Sequence, residues 1–529
     1  MRRWNGWGDE SVNVELPESA KKFLENELGP SNKPKDISLE KAINNVPASR
    51  LPEHHLINTD PLERLRHAVG QSFGDWNAIR SGTIPTYPDG VAFPLNEQEV
   101  RELLQFAKKI DAHIVPYGGG TSVVGHLAAL EGDKPTITVD VSRMNKLLDL
   151  DEDGCLAQFQ AGIKGPDLEA ALQAKGFTLG HFPQSFEYST LGGWIVTRSA
   201  GQQSLKYGRI EQLFVGGEME TPVGRLEISN LPASAAGPNL REFVLGSEGR
   251  LGIVTKATVK ISPLPQKEQF YSAFFPTPEQ GMAAIRQIAQ NGIPLSMMRL
   301  SLPEETISTL TMAGESKVLA LLDKWLKMNG VNEQKCMLVY GVTGTKKSVK
   351  SALNQAQSII KKYKGVLVGT KPGQQWVKNR FRSPYLRNSL WQEGYAVDTL
   401  ETATTWNRVP ETVQSIESAL REGLQDMNES VFAYTHLSHI YPHGSSIYTT
   451  YLFRIGDNPE ETKRRWEKLK KAASEAIVKH GGTISHQHGV GVDHQPYLEN
   501  EKTKLGMEMI RSLCHTLDPE QRMNNDKLL

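Results

Sequence analysis

From about residue 84 onward, apolar positions switch repeatedly between helical and strand spacing. Asn96 can accept the first free amide hydrogens of a helix whose apolar positions Val100, Leu103, Leu104 and Ala107 share a face, and the strand-like Ile114-Val115-Pro116 follows. Ile137, Val139 and Val141 alternate with polar neighbours as a half-buried strand does. Leu156, Ala157, Phe159 and Ala161 predict another strand, ahead of a helix around Leu168, Ala171 and Leu172. Glycine-rich turns and short strands continue to about 265, where Pro263 and Pro265 disfavour both a helix and a central strand and mark a domain boundary. Residues 266–480 mix strands with longer helices. One of these, Pro459–Lys479, sets Trp466, Leu469, Ala473, Ala476 and Ile477 on one face, with Gly481-Gly482 to end it. Its basic run (Lys463, Arg464, Arg465, Lys468, Lys470, Lys471) reads as a solvated face rather than a nucleic-acid site. The start of the chain differs: Trp4 and Trp7 precede a polar, proline-punctuated stretch that predicts an arm with short helices packed on the body.

A chain of 529 residues exceeds the ~100–200 residues of one ordinary core, so more than one core, or one domain with a large insertion, is expected. Lys+Arg and Asp+Glu number 60 each, and this balance argues against nucleic-acid binding by net charge. Cys155, Cys336 and Cys514 are isolated thiols without CxxC spacing, which fits a reducing compartment and three buried free thiols. The N-terminus lacks the apolar stretch of a signal peptide, and no run approaches the ~20 apolar residues of a membrane span. A cytoplasmic protein is expected, attached to membranes peripherally if at all. One count is uneven: of 14 histidines, His436, His439, His443, His480, His486, His488 and His494 fall within 59 positions, which marks a candidate site.

The strongest local motif is Pro116-Tyr117-Gly118-Gly119-Gly120-Thr121-Ser122, directly after a strand. Glycines without Cβ let backbone N–H groups converge on an anion, and the two hydroxyls add donors, which suits a pyrophosphate. It fits neither G-x-G-x-x-G, since Val123 takes the third glycine's place, nor a Walker A loop, since no Lys follows; alone it would be a plain turn. Three further glycine- and hydroxyl-rich turns follow. They are Pro183-Gln184-Ser185-Phe186-Glu187-Tyr188-Ser189-Thr190-Leu191-Gly192-Gly193, Thr197-Arg198-Ser199-Ala200-Gly201, and Gly246-Ser247-Glu248-Gly249-Arg250-Leu251-Gly252-Ile253-Val254.

In this order and spacing the four segments resemble the FAD-binding (PCMH-type) domain of the vanillyl-alcohol-oxidase superfamily. Trp4-Asn5-Gly6-Trp7-Gly8, Leu191-Gly192-Gly193-Trp194, Ser485-His486-Gln487-His488-Gly489-Val490-Gly491 and the ending Asp518-Pro519…Leu528-Leu529 narrow the likeness to the alkyldihydroxyacetonephosphate synthase family, from residue 4 to the C-terminus. The resemblance implies an α+β fold: an N-terminal arm (1–84), a two-subdomain FAD-binding domain (85–265), an α+β cap (266–480) and a C-terminal segment (481–529) that returns to the flavin. It implies exchange of the acyl group of an acyl-dihydroxyacetone phosphate for a fatty alcohol through a flavin N5 adduct, in ether-lipid synthesis, by a homodimer. Carried over residue by residue, the FAD contacts fall on Pro116–Ser122 (Pro116, Tyr117, Gly118, Gly119, Gly120, Thr121, Ser122), on Pro183, Gln184, Ser185, Phe186, Glu187, Tyr188 and Ser189, on Thr197, Arg198, Ser199 and Ala200, and on Glu248, Gly249, Arg250, Leu251, Gly252, Ile253 and Val254. The catalytic tyrosine falls on Tyr448, and the substrate-binding arginines fall on Arg387 and Arg299. The family's three consecutive histidines stand here as His486-Gln487-His488. No histidine replaces Thr121 or Ser122, so noncovalent FAD is expected.

The residue types suit these roles. A proton beside a ketone needs a base that is neutral near pH 7, which His486 or His488 supplies. Tyr448 can exchange a proton with a leaving or entering oxygen, and arginines fork onto phosphate. The plain alternatives are a core tyrosine, solvent-facing arginines and turn histidines bonded to backbone. The runner-up function, an FAD-dependent oxidase or dehydrogenase of a 2-hydroxy acid such as D-lactate or glycolate, carries a metal site. Here Gln487 and Tyr448 take the places of two of its ligands, so a metal site of that type is not expected, although His436-x-x-His439 with His486-x-His488 has ligand-like spacing and His439 and His443 are left without a role. A third reading is a flavin-retaining binding protein without catalysis.

Overall fold

The computed structural model describes residues 2–312 and 317–529 and contains both helices and sheets throughout, an α+β fold. A four-stranded sheet runs in the order Ile57–Asn58, Gly90–Ala92, Thr136–Asp140, His113–Tyr117, with the last three strands parallel. Between two of them crosses the helix Glu97–Lys109. The Asn96 side chain accepts from the amides of Gln98 and Glu99, and Val100, Leu103, Leu104 and Ala107 are the buried face. The sequence placed Ile137 and Val139 on a half-buried strand. Every residue of Thr136–Asp140 is in fact buried, because the strand lies inside the sheet with partners on both sides, and Val141 falls in the following turn of 3-10 helix.

A five-stranded antiparallel sheet follows, in the order Leu147–Asp151, Leu156–Gln160, Ile253–Lys260, Phe214–Thr221, Gly224–Ile228. Helices Gly165–Gln173 and Leu191–Val196 bury Leu168, Leu172, Leu191 and Ile195 in the same core as Phe159, Phe214 and Val259. Pro263 sits in a two-residue pairing of Ser262–Pro263 with Phe177–Thr178, and the chain then enters a new sheet. This is the edge position proline tolerates.

The third sheet has seven strands, all antiparallel, in the order Val366–Gly369, Lys267–Phe275, Cys336–Gly344, Met297–Ser301, Val431–Leu437, Gly444–Arg454, Tyr395–Thr405. Helices Pro278–Gln290, Lys346–Lys362, Val409–Glu422 and Pro459–Lys479 bury their apolar faces in its core. In the last helix Lys463, Arg464 and Lys471 are exposed, but Arg465 and Lys470 are not, so the basic run is a solvated face only in part. Arg465 Nη2 lies 3.0 Å from Glu429 and 2.7 Å from Glu461, a paired guanidinium of the kind burial tolerates.

The N-terminal stretch packs on this third sheet. Trp7 exchanges backbone hydrogen bonds with the Asn388 amide (3.1 and 2.9 Å), and Leu24 and Leu28 of helix Glu18–Leu28 pack with Tyr395 and Leu452. Among the described residues no helix is long and apolar enough to cross a membrane.

Candidate active site

The four glycine-rich segments converge. A Cβ at Gly119 would stand 2.0 Å from the Tyr188 carbonyl oxygen, so the first loop is pressed against the second at a distance only glycine allows. Gly120 has φ 63°, which glycine adopts without strain. The amide of Glu248 donates to the Val196 carbonyl (3.0 Å), and that of Gly246 to Ile195 (3.3 Å), which ties the fourth segment to the helix before Thr197.

Many side chains assigned to cofactor contact are spent on the protein itself. Trp194 Nε1 donates to Ser189 Oγ (2.7 Å), Phe186 stacks on Phe381, Gln184 donates to the Arg380 carbonyl (2.8 Å), and Tyr385 Oη lies 3.2 Å from Glu187. Ser199 Oγ meets His181 Nε2 (3.2 Å), Arg198 pairs with Glu242 (3.5 Å), and the Arg250 guanidinium is bonded to the Met523 carbonyl and Asn525. Leu251, Ile253 and Val254 point into the core. Ser247 Oγ is buried and without a partner, and backbone N–H groups of the closely apposed loops can add donors for an anionic ligand. The cradle fits a dinucleotide held by its phosphates.

Ser122 and Glu248 form a strut. Ser122 Oγ lies 2.6 Å from His126 Nδ1, and His126 Nε2 lies 2.8 Å from Glu248 Oε2. The same carboxylate accepts from the amides of Val490 (2.5 Å) and Gly491 (2.8 Å), fixing the C-terminal histidine segment beside the glycine loop.

On the seven-stranded sheet, cross-strand register assembles the polar centre. Tyr448 pairs with Glu401 on one side and His436 on the other. The Tyr448 and His436 rings stack at 4.8 Å, and His488 meets Tyr448 edge-on at 6.1 Å. Burial pushes the Tyr448 phenol well above its ordinary value and the His488 imidazole below its own, so both are neutral near pH 7.

Arg299, in Met297–Ser301, is engaged. Its Nη2 lies 2.6 Å from Glu305 and 3.1 Å from His436 Nδ1. Burial works against the Glu305 charge, but Arg299 and then His436 outweigh it and hold the carboxyl at about 2. Arg387 is half-buried: Nη1 donates to the Gln71 carbonyl (2.6 Å), the guanidinium lies 4.2 Å from the Trp76 ring centroid, and Nη2 is buried with no partner. That atom is free for an anion.

A second group centres on Glu401, which no sequence signal marked except a carboxylate in a hydroxyl-rich strand. Its Oε1 lies 3.2 Å from His486 Nδ1 and 4.0 Å from His439 Nε2, and Gln487 Nε2 donates to its Oε2. His486 Nε2 is 2.7 Å from Tyr441 Oη and 3.4 Å from Arg209, and His439 Nδ1 is 3.0 Å from Ser204 Oγ. Burial, then His486, lowers His439 to about 3. The histidines therefore pair differently from their spacing: His439 goes with His486, and His436 goes with Glu305 and Arg299. Three of the seven lie outside. His443 is exposed, His480 ends helix Pro459–Lys479 beside Glu411 (3.3 Å), and His494 Nδ1 lies 2.9 Å from the Gly489 carbonyl. Glu401, Glu305, Arg209, Tyr441, Ser204 and His126 were not foreseen, since each reaches the site through register or a long crossing.

Two family models match the chain: "FAD binding domain" over residues 88–229 and "FAD linked oxidases, C-terminal domain" over residues 264–528. The protein is thus a flavoprotein of the FAD-linked oxidase class, with FAD as its cofactor. It is 32% identical to the alkyldihydroxyacetonephosphate synthase of Dictyostelium discoideum, over 100% of this chain and 93% of that protein. A solved alkyldihydroxyacetonephosphate synthase structure superposes with a TM-score of 0.86 at 29% identity, covering 100% of this chain and 99% of its own. Glycolate oxidase subunit GlcD of Bacillus subtilis is 27% identical over 89% of this chain and 97% of that protein. The chain belongs to the alkyldihydroxyacetonephosphate synthase family.

Proposed function

We propose that the protein is an FAD-dependent alkylglycerone-phosphate synthase, exchanging the acyl group of an acyl-dihydroxyacetone phosphate for a fatty alcohol. The observation that carries this reading is Tyr448, stacked on His436 and faced by His488, in a chain similar over its whole length to a synthase. FAD, when bound, supplies the reactive ring on which the exchange proceeds without net redox change. His488 has no hydrogen-bond partner among the described residues and is kept neutral by burial, so it takes the proton from the carbon beside the ketone. His486 has its ring nitrogens facing Glu401 and Tyr441 and is a positioning residue rather than the base. Tyr448, kept protonated, donates to the departing carboxylate oxygen and takes a proton from the entering alcohol. Arg387, through its free Nη2, binds the substrate phosphate; Arg299, tied to Glu305, orients His436 beneath Tyr448.

The same reading divides the chain into an arm (1–84), a flavin domain (85–265), a cap (266–480) and a closing segment (481–529), which the two family matches and the division of the sheets support. It holds FAD noncovalently, forms a homodimer and meets lipid at a membrane surface. For the last, helix Lys317–Met328 exposes Leu321, Trp325 and Met328 beside Lys324 and Lys327, as an interfacial helix does. The deciding experiment incubates holoprotein with acyl-dihydroxyacetone phosphate and hexadecanol, and separately with D-lactate or glycolate plus a dye acceptor. Alkyl product is expected. Flavin bleaching by the hydroxy acids with no alkyl product would replace this reading with the oxidoreductase one.

A further inference from the structure

Beside the tyrosine centre lies a group of side chains whose chemistry the exchange reaction does not use. We propose that Glu401, His439 and His486 bind one first-row divalent cation, with zinc the best match to their ligand types. One carboxylate and two imidazoles form a common three-residue set for a zinc ion with an open fourth position. The donor atoms lie within 4.8 Å of one another. Glu401 Oε1 is 3.2 Å from His486 Nδ1 and 4.0 Å from His439 Nε2, against about 3.3 Å between ligands in a tetrahedral site with ~2.0–2.1 Å bonds. Small side-chain rotations close the difference.

A second observation is independent of spacing. Glu401 Oε1 and His486 Nδ1 are buried, face each other, and neither has a hydrogen-bond partner. A cation shared by the two atoms would satisfy both. The far atoms of all three side chains, by contrast, are held. His439 Nδ1 meets Ser204 Oγ, His486 Nε2 meets Tyr441 Oη, and Glu401 Oε2 accepts from Gln487, which is the outer support that metal ligands receive. Among the described residues Glu401 has no Lys or Arg within ion-pair distance. Arg209 meets the far nitrogen of His486 (3.4 Å) and its carbonyl (2.8 Å), and is paired with Glu211 at 3.1 Å. The set differs from the one that spacing suggested: it takes His439 rather than His436 and draws its carboxylate from strand Tyr395–Thr405.

The ligands come from three separate stretches, so the ion would pin residues 484–488 to the sheet, giving a readout apart from activity. FAD-loaded protein is stripped with a chelator, soaked in Zn2+ or Co2+, desalted, and measured for metal content and melting temperature. We expect roughly one ion per chain, a melting temperature raised by Zn2+, and visible Co2+ bands beyond the flavin absorption. His439→Ala and Glu401→Gln, checked for full FAD content and an unchanged circular dichroism spectrum, lose the ion; His443→Ala, at an exposed histidine nearby, keeps it. Metal content in the parent no higher than in His439→Ala, or a Zn2+ shift that survives both substitutions, overturns the site.

Discussion

Replacing Glu248 with alanine tests whether one carboxylate joins the glycine loop to the histidine segment. In the parent, Glu248 accepts from two donors, the Val490 and Gly491 amides, and lies 2.8 Å from His126 Nε2. Its residue is 4% exposed, so water cannot replace it without the segments parting. Each buried donor left unpaired costs about 1–3 kcal/mol, which sums to about 2–6 kcal/mol for the two amides. For a folding unit of 150–250 residues one kcal/mol moves the melting temperature by roughly 2–4 °C, so Glu248→Ala should melt at least about 4 °C lower. Glu248→Gln keeps one oxygen but turns an NH2 group toward a donor, and should lose about 1–3 kcal/mol. Backbone strain is a rival explanation, because Glu248 has φ 53°. Glu248→Gly relieves that strain and should still melt well below the parent. Differential scanning fluorimetry with saturating FAD gives the melting temperatures, and hydrogen exchange gives the local effect, with amides 488–492 losing protection first. Melting within about 1 °C of the parent in Glu248→Ala, with amides 488–492 still protected, would refute the strut.

Tyr448→Phe keeps the stack on His436 and removes only the hydroxyl; alkyl-product formation should fall by about 10²- to 10⁴-fold with FAD content unchanged, and full turnover would remove Tyr448 from the chemistry. Gly119→Ala places a methyl 2.0 Å from the Tyr188 carbonyl, so FAD occupancy, read from the ratio of flavin to protein absorbance, should drop sharply; parent-like occupancy would show the loops need not touch. Asp493 is raised from 3.8 to about 7 by burial, and its Oδ2 has no partner. The folded chain therefore binds this proton where the unfolded chain has released it, and stability falls as pH rises from about 4 to 7. Asp493→Asn should remove that slope, melting like the parent near pH 4 and above it at pH 8, by an amount up to about 4 kcal/mol; equal curves across the range would refute the assignment.

The elements best read from sequence are those whose packing follows chain order. Asn96 with Val100, Leu103, Leu104 and Ala107 specified a capped helix because both cap and face are local, and Pro459–Lys479 followed for the same reason. Strand burial was misjudged at Thr136–Asp140, where Thr136 and Thr138 look solvent-facing but lie inside a parallel arrangement that local pattern does not reveal. Arg465 escaped in the same way, since a charge on a helix face says nothing about the acid that an adjoining loop, here at Glu429, brings to it.

At the site, motif order singled out glycine-rich segments that the fold brings together, but which atoms would meet a ligand depends on side-chain direction, and there Ser189, Phe186, Arg250 and Glu248 turn inward. The departure from the family's three histidines has a local rationale. Gln487 donates its side-chain amide to Glu401, a job a neutral histidine can do through a ring N–H. Glutamine keeps the donor and gives up the titrating proton, so the substitution preserves the support of Glu401 while removing one candidate base. In the proposed exchange, proton transfer then rests on His488, the histidine of that run whose ring faces Tyr448 rather than Glu401. Because Glu401 and His436 flank Tyr448 in register, any residue that moves Glu401 also moves the tyrosine's neighbour on the adjoining strand. A residue at position 487 that cannot hold Glu401 would therefore disturb the strand beside Tyr448.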